Sequence, residues 1–412
     1  ATGRYILPGF IDPHVHMELP TPAGNSADDF KSGSLAALSG GTTTIMDFVT
    51  PLQGQSLIEA LLERKALATS SLIDYALHVS PLNGNPDTIR EIEKCIYREG
   101  ITSFKTYLAY RKTIGIDDAS LAAIMDLLGQ AGGLLMLHCE NDGLIRYLQK
   151  KFIAEGKTGP VYHALSRPPA AEAEAIGRVI NFSRQFGCPV YIVHVSSAAG
   201  AGLIARAREE SLRVYGETCP QYLLLDRSQY GAPFDEAAAF VMSPPLREKH
   251  DRERLWKALA EESLQTPGTD HCPFNKSQKA SGRNDFTRIP NGTGGVEFRP
   301  SLLFTYGVLP GRISLQQWIK LLSTNAARIF GLPSKGDLKA GMDADVVIWN
   351  PQTTGIISRE SQLQNCDQNI YEGMKIKGSA ETVIAGGKIR VENGKVTDTE
   401  TTGRFLRRGG VV

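Results

Sequence analysis

Short runs of apolar residues recur along the first two thirds of the chain, and longer amphipathic stretches separate most of them. Runs of about four to eight apolar or β-branched residues are typical of strands buried on both faces, whereas apolar residues spaced three and four apart indicate helices. The helical spacing is found in residues 56–69, 116–130 and 171–186. Strands are predicted at residues 10–16, 43–48, 73–79, 102–107, 134–138, 190–195, 212–217 and 264–270. Eight such alternations predict an α/β protein of the (β/α)8 TIM-barrel type.

The last third of the chain has a different pattern. Residues 338–349 and 382–391 alternate apolar and polar positions around glycine turns, which is typical of strands with one exposed face. Asn393-Gly394 lies between two valines and predicts a tight hairpin. A smaller β-domain is therefore expected after the barrel.

Candidate metal ligands are concentrated at the ends of the predicted strands. Of the eight histidines in the chain, four end such runs, and so does one carboxylate: His14, His16, His138, His194 and Asp270. Residues i and i+2 of a strand point the same way, so His14 and His16 face the barrel mouth together. Active sites of this fold lie at the carboxyl ends of the strands. A lone histidine is more often structural, but this set favours a site for Zn²⁺ or a related divalent ion.

Lys105 lies within the predicted fourth strand and has two interpretations. If its face is the lumen, an unpaired buried ammonium is costly, and a neighbouring metal ion would raise that cost further. Carbon dioxide can convert the amine to a carbamate, an anion whose two oxygens could bridge two metals. Alternatively, the side chain extends along the barrel to its rim and keeps the ammonium in water. The spacing alone does not decide between them.

Composition and charge exclude some classes of function. The net charge of +1 provides no overall field for nucleic acid or an anionic membrane, so neither partner is expected. No apolar run is long enough to span a bilayer. The six cysteines are scattered without close pairs, which favours reduced thiols and a cytoplasmic location.

The chain resembles the dihydropyrimidinase and hydantoinase branch of the cyclic amidohydrolases from about Pro8 to its end. The motifs that carry the resemblance occur in the family's order. They are PGFIDPHVHMELP at 8–20, GGTTTIMDF at 40–48, SFKTYLAY at 103–110, LHCEN at 137–141, YHALSRP at 162–168, YIVHVSS at 191–197, ETCPQYL at 217–223, MSPPLR at 242–247, GTDHCPF at 268–274 and IPNGTGGVE at 289–297.

The resemblance implies a barrel at residues 8–333, flanked by a β-sandwich. Family members build the first strands of that sandwich from residues before the barrel. Residues 1–7 are therefore expected to be a remnant of those strands, with the N-terminal part of the sandwich lacking from this sequence. Residues 334–412 would form the rest of the sandwich and an oligomerisation tail, with 402–412 as an interface arm of a homotetramer.

The resemblance also assigns roles to single residues. It implies two divalent ions, usually zinc, with one held by His14, His16 and Asp270 and the other by His138 and His194. Lys105, as N6-carboxylysine, would bridge them. The catalytic residues would be Asp270, which moves the proton, and Tyr110, which contacts the substrate carbonyl. Ser243 and Asn291 would bind the ring amide, largely through backbone groups.

The implied activity is hydrolysis of a small cyclic ureide, a dihydropyrimidine or a 5-monosubstituted hydantoin, to an N-carbamoyl amino acid. Allantoinase and dihydroorotase activities are alternatives. Dihydroorotase-like sequences carry an arginine shortly after the H-x-H motif, whereas this chain has Met17-Glu18-Leu19. Non-catalytic scaffold relatives have lost metal ligands, but all six ligand positions are suitably filled here.

Overall fold

The computed structural model describes residues 2–409, in which eight parallel strands follow one another in chain order around a barrel. An isolated parallel bridge between Val15 and His271 joins the first barrel strand to the segment that follows the last one. The predicted barrel is confirmed. The strands are β1 (Tyr5–Pro8), β2 (Phe10–Val15), β3 (Thr42–Val49), β4 (Asp74–Val79), β5 (Ser103–Tyr107), β6 (Leu134–His138), β7 (Val190–Ile192), β8 (Val214–Thr218), β9 (Thr266–Pro267), β10 (Val346–Ile356), β11 (Lys375–Ala385), β12 (Lys388–Glu392) and β13 (Lys395–Val396).

Helices connect the barrel strands, and those predicted at 56–69, 116–130 and 171–186 are α2, α4 and α7 of the following list. The α-helices are α1 (Phe30–Ser39), α2 (Leu57–Ala68), α3 (Pro86–Lys94), α4 (Asp118–Ala131), α5 (Asp142–Ala154), α6 (Pro160–Leu165), α7 (Pro169–Phe186), α8 (Ala198–Glu209), α9 (Pro220–Leu224), α10 (Phe234–Ala237), α11 (Lys249–Ala260), α12 (Lys276–Lys279), α13 (Arg299–Leu303), α14 (Leu315–Ile319) and α15 (Asn325–Ile329). Single π-helical turns cover Cys95–Glu99, Phe304–Val308 and Lys320–Thr324, and 3₁₀ turns cover Arg227–Gly231, Ala238–Phe240, Ala280–Gly282 and Phe286–Arg288. Within residues 2–409, no helix combines the length and apolar character needed to cross a membrane.

Three barrel strands end earlier than the apolar runs predicted. β7 ends at Ile192, two residues before His194, and β9 has only two residues, three before Asp270. β2 ends at Val15, so His16 follows it. In β9 the cause is local: Pro267 lacks a backbone N–H for the ladder, and Gly268 favours a turn. His16, His194 and Asp270 therefore lie on loops just beyond the strands that were predicted to carry them.

The C-terminal region forms one antiparallel sheet in the order β1-β10-β11-β12-β13. β1 pairs with β10, so residues from the two ends of the chain share this sheet. The hairpin predicted at Asn393-Gly394 is confirmed: φ is 52° and 72° at these residues, and β12 pairs with β13 across them. Within the described residues this region is a single sheet, whereas the resemblance implied part of a sandwich.

An aromatic cluster joins this sheet to the barrel. Trp349 on β10 packs edge-to-face on Trp318 with ring centroids 5.1 Å apart, and both rings contact Phe10 and Phe304. Trp318, Trp349 and Phe10 are fully buried. Aromatic pairs in this geometry stabilise by about 0.5–1.5 kcal/mol beyond the area they bury. The cluster therefore fixes the sheet against the barrel wall.

Residues 403–408, which belong to the predicted interface arm, lie against the barrel beside β4. Tyr75 N–H donates to Arg404 O at 2.9 Å, and Leu406 N–H donates to Tyr75 O at 2.8 Å. Arg408 is buried between β4 and β5, where its guanidinium contacts Ser103 Oγ and Leu77 O. Residues 410–412 of the predicted arm lie outside the described residues.

Candidate active site

The predicted site residues line a single cavity of about 720 Å³ at the carboxyl ends of the barrel strands. It is bounded by all nine of them: His14, His16, Lys105, Tyr110, His138, His194, Ser243, Asp270 and Asn291. The residues come from five of the eight barrel strands or the turns just after them, and from two later loops, so only the closed barrel brings them together.

One group of donors consists of His14, His16 and Asp270. His14 Nε2 lies 3.2 Å from His16 Nε2, and Asp270 Oδ1 lies 3.0 Å from both nitrogens. All three ligand atoms lie within 4.8 Å of one another. Two ring nitrogens and a carboxylate oxygen so close together repel one another unless a proton or a cation lies between them. The donor set therefore fits a divalent metal ion.

Glu217 orients His14 from behind. His14 Nδ1–H donates to Glu217 Oε1 at 2.6 Å, which leaves Nε2 free to face Asp270. Burial alone would lower the pKa of His14, but the carboxylates of Glu217 and Asp270 outweigh it and raise this pKa to about 9. The two carboxylates thus stabilise positive charge at the His14 ring. A carboxylate behind a histidine ligand is the usual outer support of a metal site.

His138 and His194 form a second pair. His138 Nδ1 lies 3.0 Å from His194 Nε2, and His138 Nε2–H donates to Glu140 Oε2 at 2.7 Å. Arg167 contacts the same carboxylate. Burial would raise the pKa of Glu140, but Arg167 and His138 lower it to about 2, so Glu140 is ionised. Among residues 2–409, no third histidine, cysteine, aspartate or glutamate completes a donor set with this pair.

Lys105 lies in the cavity wall and is 1% exposed. Its Nζ lies 5.0 Å from the centre of the Phe48 ring and 4.9 Å from that of Tyr107. No hydrogen bond or ion pair is found for this amine within residues 2–409. Burial lowers its pKa to about 8, although Asp270 and Glu217 oppose this effect. The interpretation in which the ammonium reaches water at the rim is therefore wrong, because the side chain is buried.

Tyr110 lies at the edge of the same cavity, where its ring packs 5.3 Å from that of His138. Ser243 and Asn291 also line this cavity, and Ser243 Oγ has no hydrogen-bond partner within the described residues. Three of the predicted functional residues have left-handed backbone conformations, with φ of 61° at Tyr110, 40° at His194 and 53° at Asp270. Such conformations cost about 1–3 kcal/mol each and are concentrated at functional sites.

A sequence model of the amidohydrolase family matches residues 5–390. The chain belongs to the amidohydrolase family. Enzymes of this family generally depend on a two-metal centre.

Individual amidohydrolases of known name are similar over nearly the whole chain. The D-hydantoinase of Geobacillus stearothermophilus is 44% identical over 99% of this chain and 87% of its own length. The dihydropyrimidinase of Rattus norvegicus is 40% identical over 99% of this chain and 79% of its own. The crystal structure of the dihydropyrimidinase from Brevibacillus agri NCHU1002 superposes with a TM-score of 0.98 at 42% identity and covers 100% of this chain and 90% of that one. The resemblance inferred from the motifs is confirmed.

The sequence interpretation of this amidohydrolase missed the carboxylates behind the histidines. Glu217 contacts His14 and also accepts the backbone N–H of His194 at 3.0 Å, while Tyr191 Oη–H donates to its other oxygen at 2.8 Å. Glu140 supports His138 from two residues away. The sequence contained one signal for both acids, which is their place beside a predicted buried strand: Glu217 ends an apolar run, and Glu140 follows one.

Proposed function

We propose that this chain hydrolyses the ring amide of dihydropyrimidines or 5-monosubstituted hydantoins and releases N-carbamoyl amino acids. The observation that carries the proposal is the convergence of His14, His16, Asp270, His138 and His194 on one cavity, with the amine of Lys105 in its wall. The names of the relatives, D-hydantoinase and dihydropyrimidinase, support the substrate class.

The centre proposed here contains two zinc ions. One would be held by His14, His16 and Asp270, and the other by His138 and His194. The second pair lacks an anionic donor of its own, and a carbamate on Lys105 would supply one oxygen to each ion. Imidazole and carboxylate donors suit zinc. Elemental analysis of protein expressed with ample metal should find about two equivalents per chain, whereas one or none would contradict the proposal.

Bound divalent ions lower the pKa of water from 15.7 to about 7 and polarise carbonyl groups. The protein groups then complete the reaction. Asp270 accepts a proton from the attacking water and delivers it to the ring nitrogen as the C–N bond breaks. Tyr110 donates a hydrogen bond to the carbonyl oxygen, where negative charge develops in the tetrahedral state. Ser243 and Asn291 hold the ring amide, which keeps the carbonyl carbon in place for attack.

A spectrophotometric screen tests the substrate class. Dihydrouracil, hydantoin, 5-phenylhydantoin, dihydroorotate and allantoin are compared at equal concentrations with metal-replete protein. The proposal expects the first three to dominate. Much faster turnover of dihydroorotate or allantoin would overturn the substrate assignment, and no turnover of any compound would favour a non-catalytic scaffold.

We also propose a homotetramer in the cytoplasm. The family resemblance motivates the tetramer, and light scattering showing a monomer at working concentration would contradict it. The cysteines in the described residues are free, and all but Cys366 are buried, which suits a reducing compartment. Loss of activity under reducing conditions would count against that location.

A further inference from the structure

Lys279 is a buried lysine outside the metal site, on the short helix α12. It is 2% exposed, and its Nζ donates to three backbone carbonyls: Val241 O at 2.8 Å, Pro290 O at 2.7 Å and Gly292 O at 2.8 Å. An ammonium has three N–H bonds, so every donor of this group is used. No carboxylate pairs with it within residues 2–409.

The three carbonyls belong to the two loops that carry the proposed amide-binding residues. Val241 lies two residues before Ser243, and Pro290 and Gly292 flank Asn291 on both sides. Gly292 N–H also donates to Val241 O at 3.1 Å, so this oxygen accepts from Lys279 and from the Asn291 loop. Ser243 and Asn291 both line the active-site cavity. The ammonium therefore lies behind the two segments that face the substrate.

The second loop is fixed on its other side as well. Cys272 N–H donates to Thr293 O at 2.8 Å, and Cys272 follows Asp270 by two residues. Gly292 has φ of 145°, and a Cβ there would meet Cys272 O at 2.4 Å. This segment thus lies tightly between the Asp270 loop and the ammonium, with little freedom to adjust if one side is released.

We infer that Lys279 is a positioning residue that sets the spacing between the Ser243 and Asn291 segments and thereby determines how the ring amide binds. It does not touch the substrate. The inference rests on the proposed function, since the substrate must be a cyclic amide for this spacing to matter. Hydrogen bonds from a charged donor are stronger than neutral ones, so their loss loosens both segments together.

The test compares Lys279→Met with Lys276→Met. Methionine keeps much of the volume of lysine but has no donor, and Lys276 is an exposed residue at the other end of the same helix. For metal-replete protein with dihydrouracil, Lys279→Met should raise KM about tenfold or more and lower kcat less, as expected when ground-state binding is lost. Lys276→Met should match the unaltered protein.

Two further readouts separate positioning from general damage. Metal content should stay equal in the three proteins, and inhibition by acetohydroxamate, a small metal-binding acid without a ring amide, should change less than twofold in Lys279→Met. Amide hydrogen exchange should quicken in residues 241–243 and 289–293 and stay unchanged around His14. If Lys279→Met yields no folded protein, Lys279→Gln retains amide donors and should give an intermediate KM.

An unchanged KM in Lys279→Met, or equal loss of acetohydroxamate inhibition and substrate binding, would overturn the inference while leaving the proposed function intact. Absence of any cyclic-ureide turnover by the unaltered protein would overturn the proposed function, and the inference with it.

Discussion

Two buried lysines at opposite ends of the barrel have opposite surroundings. Lys335, beside the amino end of β4, contacts three carboxylates, with Nζ 2.6 Å from Asp74, 2.6 Å from Asp345 and 3.0 Å from Asp343. Lys105, on β5 beneath the cavity, has no carboxylate in contact within residues 2–409. Burial lowers the pKa of both, but Asp345 and Asp74 reverse this at Lys335, whose pKa is raised.

The difference separates Lys335, whose ion pairs connect segments of the fold, from Lys105, whose amine is available to react. A buried ion with its partners in place adds little net stability, yet removing one partner is strongly destabilising. Lys335 joins β4 to the segment before β10 and, through Asp74, to Arg404 of the C-terminal segment. Lys105 forms no ion pair or hydrogen bond within residues 2–409, so its burial requires another explanation. The proposed carbamate beside two metal ions provides one.

The largest expected effect is that of Lys105→Ala. Because the proposed bridging anion would be removed, activity should fall by about a thousandfold or more and bound metal should fall with it. The barrel should remain folded by circular dichroism, since no ion pair is broken. Added acetate or propionate should restore part of the metal and the rate by supplying carboxylate oxygens. Full metal retention by Lys105→Ala would contradict the bridging role.

Lys335→Met should lower stability and leave activity unchanged, which is the reverse of the result expected for Lys105→Ala. It leaves Asp74 and Asp345 buried without their shared cation, so the free energy of unfolding should fall by about 3 kcal/mol. Denaturant titration measures this loss, and kcat per folded molecule should be unchanged because the cavity is at the other end of the barrel. A loss of activity without a loss of stability would erase the distinction between the two lysines.

Glu217→Gln should weaken metal binding without abolishing it. The amide retains a hydrogen-bond acceptor for His14 Nδ1–H but removes the negative charge behind the ring. Loss of such an outer partner typically lowers metal affinity about 10- to 100-fold. Competition with a chelator measures the change. Unaltered affinity would mean that Glu217 only packs the site.

Asp74→Asn should have the smallest effect, which is a change in how the stability of the region around Lys335 depends on pH. Burial would raise the pKa of Asp74, but Arg404 and Lys335 lower it below its ordinary value of 3.8. A group with a lowered folded-state pKa contributes stability that is present above 3.8 and is lost as the pH falls through the folded value. Acid titration of Asp74→Asn should therefore show a shallower loss below about pH 4 than the unaltered protein. If both proteins lose stability identically as the pH falls below about 4, Asp74 does not contribute to the acid dependence of stability.

The sequence predicted some features of the candidate site and missed others. The strand order and the inward direction of His14 and His138 followed from apolar runs and two-residue periodicity, because burial on both faces imposes both. The left-handed turns at His194 and Asp270 did not follow, since ordinary side chains rarely adopt φ near 50° without support from the surrounding fold.

The sequence also did not predict contacts between residues that are far apart in the chain. Glu217 reaches His14 across 203 positions of sequence, and Lys335 reaches Asp74 across 261. The local sequence can indicate that such a residue is buried, as it does for Glu217 at the end of an apolar run. It cannot indicate the partner, because closure of the barrel is what brings the two residues together. The docking of residues 403–408 beside β4 was missed for the same reason: a short basic tail has no periodicity that indicates a strand neighbour.

The mechanism proposed above depends on a carbamate at Lys105 that would bridge two metal ions. A crystal structure of metal-replete protein tests it most directly, with anomalous diffraction to locate the ions. We expect two anomalous peaks, one at His14, His16 and Asp270 and one at His138 and His194, with planar density beyond Nζ of Lys105 in contact with both. A bare amine at Lys105, or a single peak at full metal supply, would contradict it.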